Sequence, residues 1–155
     1  MKKAISLALC FVFCLSLFSC GGGGSKEALS NFYDKVKESQ GLLDTVADDI
    51  YEHWYDVIYN DMYNNDVSTG VLMAQIENAD NLNKIEELDA EINELFKVVK
   101  ADPTNAQLAK EIMSAYSDYY EFVVNMSGSF NSFSADKETL KKELASLLKE
   151  LSYEL

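Results

Sequence analysis

The chain has 155 residues, 48% of them hydrophobic, and carries 26 acidic against 13 basic side chains for a net charge of −13. All 13 basic residues are lysine, so no arginine fork and no basic excess are present to grip phosphate, and nucleic acid is excluded as a partner. The same charge repels an anionic lipid surface and favours cationic ligands, divalent ions or basic proteins, although solubility alone is enough to account for it.

Met1-Lys2-Lys3 precede an uncharged, mostly apolar run from Ala4 to Phe18. That run is shorter than the about 20 residues a permanent span needs, so it reads as the n- and h-regions of an export signal. Leu17-Phe18-Ser19-Cys20 then resembles the lipobox of bacterial lipoproteins, with Leu17, Ser19 and Cys20 on its motif positions. The resemblance covers residues 1–20 and no more. It implies a signal peptide over 1–19, cleavage before Cys20 and transfer of diacylglycerol to the Cys20 thiol. The chain would then be held by lipid at the cell membrane or outer membrane, facing away from the cytoplasm. Cys10 and Cys14 would leave with the signal, and lipidation would account for Cys20, which is otherwise a free exported thiol.

Gly21 to Gly24 and Ser25 follow. Four glycines pack no core, so residues 20–25 read as the lipidated cysteine and a flexible tether. A phosphate-binding loop would need a preceding strand, which an export signal does not supply. The acidic helical domain is expected over 26–155, where proline occurs once, at Pro103, and glycine three times, at Gly41, Gly70 and Gly128. Such scarcity of breakers permits long helices.

A first helical segment is predicted from about Ser25, a candidate N-cap, to Asn64. Leu29, Phe32, Val36, Leu43, Ala47, Ile50, Trp54 and Ile58 form its apolar stripe, and Gly41 is a place where it could loosen or divide. A second runs from about Val71 to Lys100, with Ile85, Leu88, Ile92, Leu95 and Val99 as a seam for shallow-angle packing that Leu72, Ile76 and Ala79 extend upstream. Asp102-Pro103 reads as cap and first position of a third helix, reaching about Ser127 and bearing Leu108, Ile112, Ala115, Tyr119, Phe122 and Met126. A last, shorter helix capped by Ser134 or Asp136 carries Leu140, Leu144, Leu147 and Leu151. The expected fold class is therefore all-α, an antiparallel three- or four-helix bundle with long helices. A tetratricopeptide-type array is the competing architecture; the segments are too long for its hairpins and no motif recurs.

Chemistry-bearing patterns are sparse. His53, the one histidine, has Asp49, Glu52 and Asp56 nearby in sequence, but these do not share one helix face, so no metal site is expected. Residues 61–72 lack the glycine and glutamate of a calcium-binding hand. No nucleophile elbow, catalytic cysteine or specific carboxylate pair is present, and neither an enzyme nor a cofactor is expected.

The sharpest pattern is aromatic. Tyr51, Tyr55, Tyr59 and Tyr63 recur every four residues with Trp54 and Ile58 along the edge. At 3.6 residues per turn this stripe drifts about 40° per step and cannot follow the core-facing seam throughout. Tyr116, Tyr119 and Tyr120 form a second cluster. Tyr51, Trp54, Tyr55, Tyr59, Tyr63, Tyr116 and Tyr120 are the candidate binding surface, because a rigid ring buries area cheaply and keeps a hydroxyl for hydrogen bonding. Packing between helices explains the same rings without a ligand. Three roles remain open on sequence: a lipid-anchored accessory module that meets an envelope protein or basic peptide, a lipoprotein receptor for a cation, amine or peptide, and a purely structural or phage-exclusion lipoprotein.

Overall fold

The computed structural model describes residues 23–62, 66–125 and 129–155, with side chains from Lys26 onward. The segment expected to be an export signal, with Cys20, and Tyr63, Asn64, Asn65 and Met126 lie outside the described residues. Five helices pack into an all-α bundle: α1 (Gly23–Tyr59), α2 (Val67–Glu77), α3 (Ala79–Val99), α4 (Ala106–Val124) and α5 (Phe130–Leu151).

The first segment stays whole. Gly41 sits inside α1 on an exposed face with nothing within 4 Å of the place a side chain would occupy, so it neither kinks nor divides the helix. Ser25, expected at the cap, lies inside the first turn. Asp61, in the left-handed region at φ 54°, lies just past its C-terminus, a conformation aspartate tolerates better than most residues.

Four expected segments become five helices because the second is broken. Asn78 closes α2 through backbone bonds to Ala74 and Ile76 and leads straight into α3. Its buried amide donates to Asp49 Oδ2 on α1 at 2.7 Å and to the Ala74 carbonyl at 3.0 Å, while Asn81 donates to its oxygen at 2.8 Å. The backbone bonds Asn78 N–H to the Ala74 carbonyl and Leu82 N–H to the Asn78 carbonyl persist, so the interruption is local, and it falls where a buried side chain is held by tertiary contact rather than at a glycine or proline. Upstream of Asn78 the buried positions are not those expected. Ile85, Leu88, Ile92 and Val99 are buried as a seam, but Leu72 and Ile76 are 53% and 58% exposed, and Gly70 and Ala74 face the core in their place.

Two later helix starts also differ from expectation. Asp102 accepts from the Thr104 amide at 3.0 Å and closes a turn over residues 101–105, which postpones α4 to Ala106. Ser129 caps α5 with Ser132 in a reciprocal capping box, five and seven residues ahead of Ser134 and Asp136, so Phe130 and Phe133 belong to the helix.

Cross-helix pairs give the topology. Along α1, Phe32 meets Phe96, Lys35 meets Glu91, Asp49 meets Asn78, His53 meets Glu77 and Val57 meets Gly70. Partners run backwards as α1 runs forwards, so α3 and α2 lie end to end and antiparallel to it. Tyr51 against Phe130, Asp48 against Lys137 and Asp44 against Lys141 show the same for α5. α4 runs with α1, Ser39 meeting Tyr116 and Asp44 meeting Tyr119. α1 is thus the shared spine, and Phe32, Val36, Leu43, Ile50, Ile92, Ile112, Phe133 and Leu144 fill the core around it with no exposed surface. Among the described residues no helix is long and apolar enough to cross a membrane.

Candidate functional site

The C-terminal half of α1 presents a graded aromatic face. Trp54 is buried, Tyr51 half-buried, Tyr55 43% exposed and Tyr59 59% exposed. The gradient follows from spacing: each four-residue step turns the next ring about 40° further from the bundle axis. The rings are in contact, Tyr51 with Tyr55 at 6.3 Å between centroids and Tyr55 with Tyr59 at 4.6 Å.

Phe130, at the start of α5, nests against this face, stacked on Tyr51 at 5.0 Å and within 6.3 Å of Tyr55 and 6.1 Å of Tyr59 and Trp54. Phe133 backs Trp54 at 5.5 Å and stacks on Phe122 of α4 at 4.7 Å. Aromatic pairs at these separations add about 0.5–1.5 kcal/mol beyond buried area, which fixes the rings rather than leaving them to swing in solvent. Phe130 and Lys137 are members of the face that the sequence did not single out. The signal for Phe130 is Ser129 three residues before Ser132, a capping-box spacing with serine where glutamate or glutamine is usual.

Lys137 closes the inner end. Only 8% exposed, it reaches across from α5 to bond Asp48 Oδ1 at 2.6 Å and sits 4.7 Å from the centre of the Tyr51 ring. One turn further along α5, Lys141 pairs with Asp44 at 3.2 Å. Partial burial works against the Lys141 charge, but Asp44, Asp48 and Glu138 outweigh it and raise its pKa. Beyond Lys137, an open cleft of about 240 Å³ is lined by Tyr51, Glu52, Tyr55 and Asp56.

The second tyrosine cluster is a different place. Tyr116 and Tyr119 are fully buried, which removes Tyr116 from the candidate surface, as it does Trp54. Tyr116 meets α1 at Ser39 (3.2 Å), roughly 18 Å along the helix from Tyr51. Burial pushes both phenols well above their usual range, so they stay neutral. Tyr119 donates to Asp44 at 2.7 Å. Tyr120 is half-buried, its pKa raised by burial and by Asp89 and Glu86, and it lines a separate cleft with Asp89, Asn93, Met113 and Ser117.

His53 donates from Nδ1 to the Asp49 carbonyl (2.9 Å) and its Nε2 stands 3.4 Å from Glu77, which ties α1 to α2. Among the described residues no group of three or more histidine, cysteine or carboxylate side chains is placed to hold a metal ion. Compared with family models, curated proteins and solved structures, the chain matches none.

Proposed function

We propose that the chain is a lipoprotein held through Cys20 to the outer side of a bacterial membrane, and that its bundle is an interaction module for another envelope protein. The observation that carries the reading is the polarity of α1. Its N-terminus lies three residues after Cys20 and its exposed rings lie at the other end, Tyr55 roughly 48 Å along the axis from Gly23. An anchor at the first end leaves Tyr55 and Tyr59 directed away from lipid. An antiparallel bundle around such a spine is the finer architecture this reading uses.

The open form of the cleft favours a macromolecular partner over a captured small molecule, since pockets for small ligands bury most of the ligand surface. Two measurements test the proposal. Radiolabelled fatty acid enters the wild-type protein and not a Cys20→Ala variant; equal labelling refutes the anchor. Cross-linking in intact envelopes recovers a partner that Tyr55→Ala with Tyr59→Ala loses; recovery unchanged by the double substitution refutes the surface.

A further inference from the structure

α1 carries one pair of residue types three times at four-residue spacing: a carboxylate followed three positions later by a tyrosine, as Asp48 and Tyr51, Glu52 and Tyr55, Asp56 and Tyr59. Residues three apart share a helix face. Each pair therefore sets an anion and an aromatic ring on one face of the helix, a combination suited to a cation that is partly desolvated.

The first pair holds its cation within the fold. The Lys137 ammonium lies between Asp48, at 2.6 Å, and the Tyr51 ring, at 4.7 Å from its centroid, with the stem buried along the helix interface. Lys141 on Asp44 is the preceding rung. Antiparallel packing would put the next rungs of α5 one and two turns toward its N-terminus, and there the sequence offers Phe133 and Phe130, where the helix begins. The internal series of ammonium groups thus stops while the series of carboxylate and ring continues. Glu52 and Asp56 make no ion pair among the described residues, and both line the open cleft of about 240 Å³ beside Tyr51 and Tyr55.

We propose that the Glu52–Tyr55 and Asp56–Tyr59 pairs receive two lysine side chains from a partner segment, presented one helical turn apart in continuation of Lys141 and Lys137. The inference rests on reading this face as a partner surface and names the chemistry that surface recognises. The rings are 43% and 59% exposed, too open to enclose a free amine but well placed for side chains carried on a helix lying along α1. The protein's net charge of −13 draws such a segment in and disfavours a second copy of this chain as the occupant.

The test uses the full-length chain in detergent micelles and two alanine-based helical peptides of equal charge, with paired lysines four positions apart or two positions apart, and free spermine as the small-amine arm. Binding is followed by calorimetry and by ring resonances of Tyr55 and Tyr59. The four-apart peptide binds tightest and shifts both rings. Glu52→Gln, Asp56→Asn, Tyr55→Leu and Tyr59→Leu each weaken it roughly two- to fivefold, whereas Tyr55→Phe and Tyr59→Phe, which keep the ring face, do not. Glu86→Gln with Glu87→Gln, which removes two charges from α3 where each carboxylate variant on α1 removes one, leaves binding unchanged. Indifference to lysine spacing, spermine binding as tightly as the peptide, or equal weakening by the α3 control overturns the proposal. If the peptides fail while the envelope cross-link still depends on Tyr55 and Tyr59, the partner surface stands and the lysine chemistry alone is wrong.

Discussion

Replacing Lys137 by methionine tests whether the clasp at the inner end of the aromatic face contributes stability or merely fills space. Methionine keeps an unbranched chain in the slot against α1 and removes the ammonium. Lys137 is 8% exposed, but the Asp48 side chain is 53% exposed, so water screens the ion pair and it contributes about 0.5–1 kcal/mol. The Tyr51 ring adds about 0.5–1 kcal/mol, and the more favourable burial of a thioether offsets part of both. The expected net loss is about 1 kcal/mol, which lowers the Tm of a domain this size by roughly 3–5 °C. Urea unfolding of Lys137→Met, Asp48→Asn and the double variant closes a double-mutant cycle, with an expected coupling of about 0.5–1 kcal/mol that shrinks as salt is raised. Zero coupling at low salt with an unchanged Tm for Lys137→Met would refute the electrostatic account of the clasp. The claim that the first pair is a template for the two outer ones would fall with it.

Gly41 and Gly70 should respond in opposite directions. Gly41→Ala gains about 0.5–1 kcal/mol of helix propensity because nothing lies within 4 Å of the new methyl, whereas at Gly70 the added carbon falls 2.5 Å from a buried Val57 methyl and 3.3 Å from the His53 carbonyl. Gly70→Ala therefore unpacks α2 and shows a lower urea midpoint, and a raised midpoint for it would contradict the close approach. Asn78→Ala strands the bonds to Asp49 and Asn81 and costs about 1–3 kcal/mol, with amide exchange accelerated first around the α2–α3 break; uniform acceleration would argue against a local role. Asp89 has its pKa raised, chiefly by burial, despite bonds from Tyr116 and Asn93. An acid whose folded pKa exceeds its unfolded value of about 3.9 destabilises the fold above the folded pKa, and the penalty vanishes below the unfolded one. Asp89→Asn accordingly raises the Tm at pH 7 more than at pH 3, and an equal or reversed effect would refute the sign.

How far the fold could be read from sequence varied with the range of the forces involved. The stripe Leu29, Phe32, Val36, Leu43, Ala47, Ile50 and Trp54 is buried as its spacing requires, while Ile58, at its end, is 41% exposed because at that level Val57, 1% exposed against Gly70 of α2, takes the core-facing place. The break at Asn78 was not legible, since asparagine is a weak helix former but no breaker. What makes it a break is an amide bonded to Asp49, 29 positions away in sequence. Phe130 was missed for a local reason: it lies between the expected end of the third helix near Ser127 and the expected caps Ser134 and Asp136, and its capping box uses serine at the position where glutamate or glutamine is usual.

Helix content, the acidic balance and the slanting rings on α1 were determined by the sequence, because propensity, charge and 3.6-residue periodicity are local properties. Tertiary structure alone decided which tyrosines became surface. Tyr116 and Tyr119 meet α1 in mid-bundle, where Ser39 and Asp44 satisfy their hydroxyls and burial costs no hydrogen bond, whereas Tyr55 and Tyr59 project where the lysines of α5 have already ended. The residue type is the same in the two clusters; what decides its exposure is the partner each helix face is given by distant parts of the chain.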